Sequence, residues 1–188
     1  MEPLSRHALA DIHGLVFGGL FLAAFLVALV GVWRIRAGLR TANGVGRRST
    51  WLNVGLGGMA AVVWAIVLSD TWLVYPSYRE KLAGSTFATC DGLEVPSSAC
   101  SPRDFLLSNV SGETAWWHEF GMEWKEHIAW TAPFLATSAF LLALHYGPRI
   151  MTRPWLRTAL IVMVVAALGA VTIGGGFGTF INKVAPIV

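Results

Sequence analysis

The sequence predicts an all-α integral membrane protein, a four-transmembrane-helix antiparallel bundle with both termini outside and one disulfide-closed external loop. Three observations predict it. Of the 188 residues, 55% are apolar. The apolar residues gather into four stretches, each at least as long as the roughly 20 residues a helix needs to cross the hydrocarbon core. Two connections carry arginines and no acid, and every acidic residue lies at the opposite ends of the stretches or beyond them. The stretches cover about 9–33, 50–75, 116–146 and 156–185, with the external loop at 76–115, in a single membrane domain. Lipid offers no partner for an open backbone N–H or C=O, so each stretch closes its hydrogen bonds as a helix. The alternating pattern of a membrane β-barrel is absent.

The first stretch is too long, and too poor in a cleavage site, to be a removed signal peptide, so it reads as a retained span. The connection after it carries Arg34, Arg36, Arg40, Arg47 and Arg48 and no acid. The connection between the third and fourth stretches carries Arg149, Arg153 and Arg157, again with no acid. All acidic residues, Asp70, Glu119, Glu123 and Glu126 among them, lie at the other end of the stretches or beyond it. The positive-inside rule places the arginine loops in the cytoplasm. The expected location is a bacterial inner membrane, with the termini and long loop periplasmic. A net charge of +3 that is spent on topology leaves no basic face for nucleic acid.

The second stretch ends near Tyr75, and the long loop follows, rich in Ser, Pro and Gly and holding the two cysteines, Cys90 and Cys100. Nine residues separate them. In an oxidising compartment this spacing predicts a disulfide closing a small loop, worth about 2–3 kcal/mol in chain entropy. The C-x-x-C spacing of a redox pair is absent. Forty residues build little core alone, so the loop is expected to lie over the helix ends or against a partner. The expected partners are the lipid bilayer and other membrane or periplasmic subunits. With no soluble catalytic domain, no nucleophile motif and no P-loop, a subunit of a complex is expected rather than a stand-alone enzyme.

In the third stretch, Glu123, Lys125, Glu126 and His127 interrupt a membrane-spanning pattern, and charged groups there mark functional positions. His13 precedes Arg34 by 21 residues, His127 precedes Arg149 by 22, and Asp70 follows Arg48 by 22. At about 1.5 Å per residue all three lie ~30 Å from the arginine end. The fourth stretch brings Gly174, Gly175 and Gly176 to nearly the same level. Two histidines at matched depth on different helices are what axial ligation of haem b requires. On that reading His13 and His127 hold the iron, Gly174–Gly176 admit the macrocycle, and Lys125 meets a propionate. Asp11, Asp70, Glu123 or Glu126 would orient the second ring nitrogens. The expected function is a haem b-binding subunit of a respiratory or photosynthetic electron-transfer complex, exchanging electrons with quinone or a partner near the outer face. The layout is similar to that of membrane-anchor cytochrome b subunits, in layout only.

Other readings use the same residues. Glu119, Glu123, Glu126 and His127 are expected along one side of the third helix, and Glu123, Glu126 and His118 could hold a metal ion at the outer rim. Carboxylates beside a redox centre could relay protons during quinol oxidation. Glycines at four-residue spacing and tryptophans at span ends also serve plain helix packing and interfacial anchoring, and a cofactor-free accessory or scaffold subunit needs nothing more.

Overall fold

A computed structural model describes residues 12–38, 45–79, 101–107, 115–147 and 149–184. Every described element is helical: α1 (Gly18–Gly38), α2 (Val45–Ser69), α3 (Tyr75–Arg79), α4 (Pro102–Leu107), α5 (Glu123–Tyr146), α6 (Arg149–Thr152) and α7 (Pro154–Val184). Wider π-helical turns extend three of them, at Ile12–Phe17, Asp70–Val74 and Trp117–Met122. Four helices are long and apolar enough to cross a membrane: Ile12–Arg34, Thr50–Val74, Trp117–Tyr146 and Pro154–Ile181. These are the first to fourth spans below. Cys90 and Cys100, and most of the long loop around them, lie outside the described residues, as does Asp11.

The first span packs on the second, the second on the third, and the third on the fourth. Small residues set the spacing. Gly31 faces the backbone of Leu52, Gly55 that of Ala28, and Gly58 the side chain of Ala24. In the third span, Ala132, Ala136, Ala139 and Ala143 form a buried column. It joins Leu52, Leu56, Met59 and Val63 of the second span and Leu156, Leu160, Ala167 and Ala170 of the fourth in one apolar core. Lipid tails are as apolar as leucine, so close backbone approach and dispersion drive such packing. The outward faces are correspondingly greasy: Leu15, Leu22, Leu26, Val54, Phe134, Leu141, Val162 and Val165 are exposed, which suits contact with lipid.

At the arginine end, the Arg34 guanidinium lies over Trp51, 5.1 Å from the ring centroid. Gly147 ends α5 at φ +51°, a conformation glycine adopts without a Cβ penalty, and its N–H caps Ala143 O at 2.9 Å. The opposite, acidic end holds a smaller cluster of Tyr78, Leu106, Met122 and Ile181. The three π-helical turns all lie there.

Candidate functional site

The third span turns Lys125 inward. At about 100° per residue, Lys125 stands nearly opposite Glu123 and in phase with Ala132, Ala136, Ala139 and Ala143. It is 8% exposed, as is Asp70, to which its Nζ donates at 2.9 Å. The fourth span lies alongside the lysine stem. A Cβ at Gly174 would stand 3.9 Å from Lys125 Cγ, and one at Gly178 would stand 3.7 Å from Cε and 3.9 Å from Nζ. Gly175 and Gly176 face open space.

The first span supplies His13. Ser69 donates its hydroxyl hydrogen to Ile66 O at 3.0 Å, so its oxygen accepts from His13 Nδ1–H at 2.9 Å. That fixes a hydrogen on Nδ1 and aims Nε2 at Asp70 Oδ1, 3.6 Å away. A bare imidazole nitrogen there would set its lone pair against a carboxylate oxygen. A proton held in that gap would relieve this opposition. Lys125 competes for the same oxygen. Three spans thus converge on one buried carboxylate with two cation-forming partners.

Nearer the acidic end, Tyr78 Oη and His118 Nδ1 share a buried hydrogen bond of 2.8 Å. Tyr75, Tyr78 and His118 stack in a column, with centroids 6.2 Å and 5.9 Å apart. The Tyr75 hydroxyl lies near the carboxylate of Glu126. Burial pushes the Tyr75 and Tyr78 hydroxyls above the usual value of 10.0, and the charges of Glu126 and Glu123 push both further. The folded state therefore keeps protons that the unfolded chain loses. This contribution to stability is complete below pH ~10 and is lost as pH rises beyond it. In an absorbance titration, Tyr75 and Tyr78 are expected to stay un-ionised past the tyrosine midpoint of the denatured chain. Single Tyr→Phe variants assign them, and coincident folded and denatured titrations would contradict the placement.

The expected haem ligands are not brought onto a shared centre. His13 turns into the bundle toward Asp70. His127 is exposed, and its Nδ1–H donates to Glu123 O of its own helix at 2.6 Å. The expected one-sided row also divides. Glu119, Glu123 and His127 are exposed, while Glu126 is half-buried. His118 faces Tyr78 instead of joining Glu123 and Glu126. Among the described residues no three His, Cys, Asp or Glu side chains converge as metal ligands. Lys125, expected to meet a propionate, meets Asp70. Ser69, Tyr75, Tyr78 and Gly178 are the site residues that depth counting missed, because it matches levels without regard to which face a side chain takes. No family model matches this chain, and neither a curated protein nor a solved structure does.

Proposed function

We propose that this chain is an integral membrane subunit of an electron-transfer complex, and that it handles the protons of quinone chemistry near the outer membrane face. The observation that carries this reading is the buried carboxylate of Asp70, shared between Lys125 and His13 on three different spans. A charge pair inside a bundle is costly and contributes little stability over an apolar packing. Reducing or oxidising a quinone moves protons as well as electrons, and a group that holds one proton between two bases answers that need.

Antiparallel neighbours are supported by the pairing of Gly31 with Leu52, Ala28 with Gly55 and Ala24 with Gly58, where one number rises as the other falls. The arginine loops argue for a cytoplasmic arginine end and an outer acidic end. A disulfide between Cys90 and Cys100 and docking of further subunits on that side complete the proposal.

The test is binding of a short-tailed ubiquinone to the purified protein in nanodiscs, read by quenching of its nine tryptophans. Saturable quenching that weakens tenfold or more in Asp70→Asn is expected. Quenching that only follows partition into lipid, equal in both proteins, would count against the reading.

One observation favours a haem at the exposed face of the third span. The Nδ1–H bond of His127 to a backbone carbonyl leaves Nε2 free, the way ligating imidazoles are commonly held. Haem b would then be shared with a partner subunit. A reduced-minus-oxidised visible spectrum decides it. A b-type band lost in His127→Ala and kept in His13→Ala is expected for this arrangement, and loss in both variants would return the two histidines to one iron. A featureless spectrum from protein expressed with ample haem would remove haem altogether.

A further inference from the structure

The His13–Asp70–Lys125 cluster is closed on one side and approachable on the other. About two turns toward the arginine end, the four spans present Phe21, Val63, Ala132 and Ala167, all 0–1% exposed. None of them accepts or donates a proton. Next to Lys125 on the third span is Glu126, which lies within electrostatic reach of Asp70 and of Tyr75, the residue that follows the second span at the acidic end. One of the Glu126 oxygens, Oε1, is buried with no hydrogen-bond partner among the described residues. A carboxylate oxygen left bare at low dielectric costs free energy that a proton on it, or a donor arriving, would relieve.

We propose that Glu126 is the protonatable residue through which the His13–Asp70–Lys125 cluster exchanges protons with solution, and that this exchange runs only through the acidic end of the bundle. The proposal rests on the reading of that cluster as a proton-holding site.

The charges around the route come from each packed element. The second span and α3 bring Asp70, Tyr75 and Arg79, and the third brings Glu123 and Lys125 beside Glu126. His118 and Tyr78 lie further out, facing Arg103 of α4 as well as Glu123. The fourth span brings Gly174 and Gly178 alongside Lys125. In the exchange, a proton from the acidic-end solution protonates Glu126. It then passes to the base left in the gap between His13 and Asp70, and Glu126 returns to its carboxylate. Neither tyrosine needs to ionise, so their raised values do not obstruct it.

A pH jump on the full-length protein in nanodiscs, followed by time-resolved infrared difference spectroscopy, tests this. The cluster signal is the part lost in both His13→Gln and Asp70→Asn. Glu126→Gln is expected to slow its appearance at least tenfold while leaving the final amplitude in place. Tyr75→Phe, which keeps the ring stack, is expected to change the rate and keep the amplitude. His145→Gln, at the arginine end, is expected to leave the rate unchanged. An unaltered rate in Glu126→Gln would overturn the role of Glu126, and slowing in His145→Gln would overturn the one-sided access. A wild-type protein with no cluster signal would instead remove the underlying reading, and the proposal with it.

Discussion

Lys125→Met is expected to destabilise the folded protein by about 3–5 kcal/mol, because it leaves the Asp70 carboxylate buried without its closest cation. Asp70 and Lys125 are each 8% exposed and 2.9 Å apart, so neither has solvent to fall back on. The pair itself is a different matter. Removing both charges together, as Asp70→Leu with Lys125→Met, is expected to bring stability back to within ~1 kcal/mol of the wild type. Equilibrium unfolding in mixed detergent measures both. A single-variant loss below about 1 kcal/mol would mean that the charges are hydrated and the packing around them is open. If the double variant stays stable, the charges are retained for something other than the fold.

Gly55→Ala is expected to cost about 1–3 kcal/mol through overpacking. The added Cβ would overlap the backbone N of Ala28 and stand 2.5 Å from its Cα. Backbone cannot swing aside as a side chain does, so the first and second spans must separate. Those two spans also hold His13 against Ser69 and Asp70, and parting them loosens the site a few turns away. Gly169→Ala is the matched control. Nothing lies within 4 Å of its added carbon, and alanine in a helix interior is worth up to ~1 kcal/mol over glycine. Equal effects at the two positions would contradict the close approach at Gly55.

The spans were legible because lipid imposes a coarse rule: enough consecutive apolar residues, hydrogen-bonded within one helix. The layer of polar groups was legible too, since counting from the arginines gives depth. Which residue in that layer faces inward was harder to read. His127 and Lys125 share a level, yet they lie on opposite sides of the third span.

Phase resolves them. Gly31, Leu52, Ala143 and Leu156 are buried near the arginine end. Eighteen residues from each, which is five helical turns, stand His13, Asp70, Lys125 and Gly174. An inward stripe traced from the small and apolar residues would have selected Lys125 over His127. The π-helical turns at Ile12–Phe17, Asp70–Val74 and Trp117–Met122 carry no such signal. Each inserts roughly one residue per turn, which rotates everything beyond it. Tyr75, Tyr78 and His118 therefore meet without any spacing in the sequence to announce them, while the expected row splits by ordinary helical phase, because within α5 Glu126 and His127 lie to opposite sides of Glu123.

Nitrogen NMR of the protein labelled at histidine, in nanodiscs, tests directly for the proposed proton between His13 and Asp70. His13 is assigned by the signal missing in His13→Gln. The predicted result is a hydrogen on Nδ1 at every pH where the protein is folded, with the state of Nε2 changing when Asp70 becomes Asn. A neutral ring with its hydrogen on Nε2 and a bare Nδ1, indifferent to Asp70→Asn, would contradict it.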